Sequence, residues 1–152
     1  MTLMNKIDFR TESLSKEAIL DFLQKNAQDH YVDLNLLVDL ENYAIKLSEK
    51  ALHFTAYNGN TLIGLSSCYF NNLNSKIGYI SGISISKDYR RIGIGSQLVD
   101  KLTQYGKDTR FKQLQVKPDC KNTILIDFFQ KNGFSIQGRH ESRCLMSKTL
   151  SK

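Results

Sequence analysis

The sequence predicts an α/β fold built on a mixed, mostly antiparallel sheet of about seven strands with four helices. Three observations carry that prediction. Apolar periodicity switches between extended and helical along the chain, in the order strand, two helices, three strands, helix, strand, helix, two strands. The three middle strands are joined by short polar turns, Asn58-Gly59-Asn60 and Asn71 to Ser75, which direct antiparallel pairing. The later strands are separated by helices, which makes crossover connections.

Taken in order, residues 5 to 10 read as the first strand. Ser13 or Ser15 caps a helix from Lys16 to Asn26, with Ala18, Ile19, Phe22 and Leu23 on one face. His30 and Tyr31 mark a break. Asp33 then caps a second helix, about Leu34 to Lys50, with Leu36, Leu37, Leu40, Tyr43, Ala44 and Leu47 at helical spacing. Strands follow over 51–57, 61–70 and 76–86. The glycines at 78 and 82 serve either a bulge or a close backbone approach, and the sequence leaves both open. A helix over 95–106 ends at Gly106, a strand covers 112–117, and a helix over 122–132 is closed by Gly133. Residues 134 to 148 make two strands with a break near Gly138 to Glu141.

Length and composition set limits on function. At 152 residues the chain suits one domain, 1–152, large enough to bury a core. With 41% hydrophobic and 24% charged residues it has the make-up of a soluble globular protein. No apolar run is long enough for a bilayer, and the N-terminus lacks the apolar stretch of a signal peptide, so no membrane partner and a cytoplasmic location are expected. Cys68, Cys120 and Cys144 are widely spaced and odd in number, which argues against a disulfide framework or a zinc site. His30, His53 and His140 show no ligand spacing, so no metal is expected. The net charge of +6 suits an anionic cofactor. The lysines and arginines are scattered and the aromatics form no stacking motif, so nucleic acid is not the expected partner.

Arg90-Arg91-Ile92-Gly93-Ile94-Gly95 is the most informative run. It follows the extended segment Tyr79 to Ser86 and precedes the amphipathic helix from Ser96 to Tyr105. A strand feeding a basic, glycine-spaced turn and then a helix start makes an anion site. The free amides and the helix dipole face the ligand, the glycines allow close approach, and arginine adds charge-assisted hydrogen bonds. The third glycine of a dinucleotide loop is Leu98 here, and no Gly-Lys-Ser/Thr string exists for a nucleoside-triphosphate loop.

Arg90, Gly93 and Gly95 fit Arg-x-x-Gly-x-Gly, which resembles the pyrophosphate loop of the GNAT superfamily, the acyl-CoA-dependent N-acetyltransferases. The segments Ile83 to Tyr89 and Asn122 to Phe134 resemble the family's strand before this loop and its late helix with the strand beyond. The resemblance covers about residues 40 to 148. It implies a sheet splayed between the fourth and fifth strands, with acetyl-CoA as co-substrate. The backbone of Ile83 and Ile85 would pair with the pantetheine arm. The amides of Arg91, Ile92, Gly93, Ile94, Gly95 and Ser96 would cradle the pyrophosphate, with charge from Arg90 or Arg91. Asn122 matches a family position on the pantetheine side.

Acetyl transfer also needs an oriented amine, a route for its proton and stabilisation of the oxyanion. The family's usual glutamate in the fourth strand falls at Tyr79 here, which is the catalytic candidate, either handling a proton or packed as an aromatic. The family's late-helix tyrosine falls at Phe129, which has no proton to give. His30 and Tyr31 lie where the family forms its acceptor lip. Cys120 has no activating partner, so a covalent acyl-cysteine route is not expected. The resemblance therefore implies direct transfer in a ternary complex to a small-molecule primary amine, an amino sugar or other small amine being favoured over a polycation. A non-catalytic acyl-CoA-binding or regulatory module is the alternative, and monomer and homodimer are both left open.

Overall fold

The computed structural model describes residues 6–26 and 39–150. Strand β1 (Ile7–Glu12) leads into helix α1 (Lys16–Asn26). Ser15, not Ser13, caps that helix, its Oγ accepting from the Ala18 amide at 3.1 Å. Helix α2 (Leu40–Lys50) starts at Asp39, whose side chain accepts from the Asn42 amide. The expected start at Asp33, like the break at His30 and Tyr31, lies outside the described residues.

Strands β2 (Leu52–Asn58), β3 (Thr61–Tyr69) and β4 (Ile77–Ile85) form the antiparallel centre. A three-residue 3-10 turn, Lys87–Tyr89, and the loop 90–93 lead into α3 (Ile94–Asp108). Then come β5 (Gln113–Val116), α4 (Thr123–Lys131) and the hairpin β6 (Ser135–His140) and β7 (Arg143–Thr149). The sheet order is β1-β2-β3-β4-β5-β7-β6, and β4 with β5 is the parallel pair. This is the mixed, mostly antiparallel seven-stranded sheet with four helices that the sequence predicts.

Period-two alternation gives the sheet two apolar faces. One carries α3 over Phe54, Ile80, Ile83, Leu114 and Met146, with Leu98 and Leu102 of the helix completely buried. The other carries α1 and α2, whose Ile19, Phe22, Leu23, Ala44 and Leu47 close on Leu65. Gly106 does not end α3. It is buried within the helix because a β-carbon there would lie 2.6 Å from Leu150 Cδ1, and the helix runs on to Asp108. Gly133 does close α4, at φ +94°.

Each of the two readings of the β4 glycines holds at one of them. Ser67 pairs with Gly82 but Cys68 pairs with Ile80, so Ser81 is an extra residue and Gly82 flanks a bulge. Gly78 serves close approach: a β-carbon there would meet Phe70 Cε1 at 2.6 Å and Leu114 Cδ2 at 2.9 Å.

Below the bulge, β4 pairs with β5 from Ile77↔Gln113 to Ile80↔Val116. Beyond it the register ends, and the two strands part between Ser81 and Lys117. Farther out, the chain after β5 runs beside β7 through an Asp119↔Arg143 bridge. That bridge brings together two cysteines far apart in sequence, with Cys120 Sγ 2.9 Å from Cys144 Sγ. Both are free thiols, and the hydrogen bond between them pushes the Cys144 thiol up from its ordinary value.

Candidate active site

The site begins with the direction of the β4 backbone. The Ser86 amide donates to Ile63 O at 2.8 Å, so the preceding carbonyl, that of Ile85, points away from β3. By alternation the amides and carbonyls of Ile83 and Ile85 face the gap that β5 has left. Arg90 Nε donates to Ile85 O at 2.9 Å. The Ile83 groups and the Ile85 amide therefore form the remaining ladder for an extended ligand.

At the end of this edge the loop turns on two left-handed residues, Arg91 at φ +63° and Gly93 at φ +96°. A left-handed conformation is costly for arginine and free for glycine, and strain of this kind gathers at ligand sites. Such alternation is how a backbone gathers successive N–H groups into a concave anion nest. Gly93 is the N-cap of α3 and has no capping side chain. The first backbone bond that closes the helix runs from Gln97 N to Gly93 O at 3.1 Å. The amides of Ile94, Gly95 and Ser96 precede it and have no intrahelical acceptor.

Ile83, Ile85, Arg90, Arg91, Gly93, Ile94, Gly95 and Ser96 line one cleft of about 250 Å³, with Tyr89 and Phe128 completing it. Eight residues named from the sequence thus stand together. Ile92 does not line this cleft and is 39% exposed. Asn122 does not line it either. It is the N-cap of α4, its Oδ1 accepting from the Leu125 amide at 3.1 Å.

Phe128 and Tyr89 were missed as wall residues. α4 is apolar around most of its circumference, with Ile124, Leu125, Ile126, Phe128 and Phe129, so helical period alone did not say which phenylalanine turns inward. Phe129 goes to the core, 1% exposed, its ring edge-on to Phe128 and Phe134. Tyr89 is held by Asn58, whose Nδ2 donates to its hydroxyl at 2.7 Å.

Tyr79 stands apart from this cleft, four residues back along β4, roughly 13 Å at strand rise. Its ring stacks on Tyr69 at 6.5 Å between centres, on the α1–α2 face. Ser81, next on that face, is 2.6 Å from the Tyr43 hydroxyl of α2. Burial pushes the Tyr79 phenol up from the ordinary tyrosine value, and nearby Arg143 opposes the shift. A phenol so placed keeps its proton at neutral pH. It can donate a hydrogen bond but is not a resident base. His30 and Tyr31 lie outside the described residues. Among the described residues, no three His, Cys, Asp or Glu side chains gather to hold a metal ion.

The comparisons with known proteins bear on fold and family. The profile described as Acetyltransferase (GNAT) family matches residues 14–134. N-alpha-acetyltransferase 50 of Danio rerio is 31% identical over 83 residues, 53% of this chain and 49% of that protein. The chain spans about half the length of the curated relatives it matches. The PaiA N-acetyltransferase of Thermoplasma acidophilum, solved in complex with coenzyme A, superposes with a TM-score of 0.71 at 16% identity. It covers 93% of this chain and 99% of its own. The ribosomal-protein-S18-alanine N-acetyltransferase of Escherichia coli gives 0.75 at 14% identity, covering 95% and 96%. At those identities the structures speak for the fold alone. The matched profile spans most of the chain, from α1 through the basic loop to the end of α4, and the chain belongs to the acetyltransferase (GNAT) family.

Proposed function

We propose that this protein transfers an acetyl group from acetyl-CoA to the primary amine of a small molecule, by direct attack within a ternary complex. The observation that carries the reading is the open β4 edge at Ile83 and Ile85, running straight into a left-handed basic loop and a bare helix start. These features fit the two ends of CoA: an amide-bearing arm that pairs like a strand, and a pyrophosphate that needs amides and cations. Acetyl-CoA, when bound, supplies the activated acyl group. The chain supplies the rest. The Ile83 backbone and the Ile85 amide align the arm. The amides of Ile94, Gly95 and Ser96, with Arg91, hold the phosphates. Arg90 braces the end of β4 through Ile85 O. Phe128 closes the wall.

The gap between Ser81 and Lys117 is where the arm would reach the α1–α2 face. Tyr79 stands on that face as a protonated phenol, suited to donating a hydrogen bond to charge that develops on oxygen or sulfur. Phe129, sealed in the core, takes no part in proton transfer. No resident carboxylate is needed if the amine arrives neutral from solvent. The test is release of CoA from acetyl-CoA in the presence of a broad amine panel, with calorimetry of acetyl-CoA binding beside it. Acceptor-dependent release supports the enzyme. Binding without release for any amine would favour a non-catalytic acyl-CoA module, and absence of binding would overturn the reading.

A further inference from the structure

We infer that Cys120 and Cys144 form a thiol–disulfide exchange site, which a low-molecular-weight disulfide closes into a cross-link that clasps the chain entering α4 to β7. The two lie 24 positions apart in sequence, and no local motif pairs them. The tertiary structure builds the pair from two segments. The chain leaving β5 runs antiparallel to β7: the Cys120 amide donates to Ser142 O at 2.8 Å, and the Cys144 amide donates to Pro118 O at 2.9 Å. These two bonds bracket the Asp119↔Arg143 bridge. Each cysteine stands one position past the bridge on its own segment, so alternation turns both side chains to one face. Asp119 also fixes the turn that follows. Its Oδ1 accepts from the Lys121 amide at 2.8 Å, and its carbonyl accepts from the Asn122 amide at 2.9 Å. The backbone is therefore held on both sides of the thiol pair.

The two Sγ atoms are 2.9 Å apart. A disulfide bond is about 2.05 Å long, so closure moves each sulfur by about half an ångström and asks little of the backbone. Both thiols are free and half-buried, within reach of a small reagent. Cys68 is wholly buried in the core and does not compete. Neither Cys120 nor Cys144 lines the cofactor cleft, so the site stands apart from the transferase reading. The exchange runs in two steps. One cysteine thiolate attacks a sulfur of the reagent disulfide, forms a mixed disulfide and releases one reagent thiol. The second cysteine attacks the protein sulfur of that mixed disulfide and expels the other reagent thiol as the Cys120–Cys144 bond forms. Two protein thiols are oxidised, one reagent disulfide is reduced, and the two cysteine protons leave on the two released thiols. The closed bond ties off residues 120–144, with α4 and β6 inside the loop. It limits the unfolded chain while leaving the native positions nearly unchanged, so the oxidised protein is the more stable form.

Glutathione disulfide is the probe. The full chain is first reduced with dithiothreitol and desalted, then incubated folded with glutathione disulfide. Remaining thiols are alkylated in denaturant, and peptides are mapped by mass spectrometry without reduction. The expected product joins the Cys120 and Cys144 peptides and leaves Cys68 as the alkylated thiol. The melting midpoint of that product is expected to rise by about 5 °C or more over the reduced protein, and to return when dithiothreitol is added back. Cys120→Ser and Cys144→Ser, each shown to be folded by circular dichroism, are expected to carry at most a glutathione adduct on the remaining partner and to show no such rise. Cys68→Ser is expected to form the link as the native chain does. Glutathione adducts on both cysteines with no link between them, two thiols that stay alkylatable, or a link that leaves the midpoint unchanged or lowers it would overturn the inference.

Discussion

Gly93 and Gly95 are glycines for different reasons. Gly93 sits at φ +96°, where a side chain is strained whatever the space around it. Gly95 has no such conformation, but a β-carbon on it would stand 3.1 Å from the edge of the Phe128 ring. The strain at Gly93→Ala costs about 1–2 kcal/mol. That substitution is expected to weaken acetyl-CoA binding by deforming the loop. Gly95→Val adds branches beyond that β-carbon, drives Phe128 out of the cleft wall and blocks approach to the helix amides. It is expected to abolish acetyl-CoA binding while circular dichroism stays native, and a folded variant with normal calorimetric binding would place the cofactor elsewhere. Tyr79→Phe removes only a hydroxyl from a stacked ring. A fall in turnover near a hundredfold with unchanged acetyl-CoA affinity would assign that hydroxyl to proton handling, and a change below about threefold would leave Tyr79 as a packed aromatic. His53 is wholly buried under α2, its Nδ1 2.8 Å from Ser67 Oγ, and burial lowers its pKa from 6.5. Below pH 6.5 the unfolded chain binds a proton that the folded chain refuses, so stability is full above that pH and falls on acidification. Denaturant midpoints between pH 8 and 5.5 are expected to drop less for His53→Gln than for the native chain, and equal drops would show that His53 is not responsible.

At the level of elements, the site is made by what β4 does at its two ends. The close packing at Gly78 lies within the stretch paired with β5, and the bulge at Ser81 lies where the two strands part. From Ser81 on, β4 has a partner on one side only, and its outward amides and carbonyls would be a liability at an exposed edge. Arg90 covers one of them, and the proposed arm would cover the others. This separates the two arginines. Arg91 is exposed, strained and at the nest, so Arg91→Ala is expected to raise the acetyl-CoA dissociation constant about tenfold or more, with a smaller effect at high salt. Arg90→Ala frees Ile85 O and loosens the strand end, so its loss of affinity is expected to depend less on salt. Titrations at low and high salt distinguish them, and unchanged affinity in both variants would mean that the loop does not hold pyrophosphate.

For the molecule as a whole, ligand that binds only the folded state stabilises all of it. Acetyl-CoA at about a hundredfold excess over its dissociation constant is expected to add about 2.7 kcal/mol to unfolding. Melting with acetyl-CoA should therefore shift upward, while melting with NADH should not, because Leu98 stands where a dinucleotide loop needs its third glycine. Absence of a shift at millimolar acetyl-CoA would remove the basis of the reading.

The sequence by itself determined the element order, the polar hairpin turns and the basic loop between β4 and α3. All of these rest on local signals: periodicity, turn residues and glycine spacing act over a few neighbours. Eight of the cofactor residues were legible for the same reason, since all eight fall within one strand–loop–helix run, residues 83–96. Only the tertiary structure decided the rest. It set the break in the β4–β5 ladder at Ile80 and Val116, because strand register depends on partners more than thirty residues away. It sent Phe129 to the core and Phe128 to the cleft, because a helix apolar on most sides takes its orientation from what it packs against. It buried Gly106 against Leu150, where glycine reads locally as a helix end. And it brought Lys46 of α2 and Lys117, just past β5, over the stacked rings of Tyr69 and Tyr79, a grouping that no window along the chain contains.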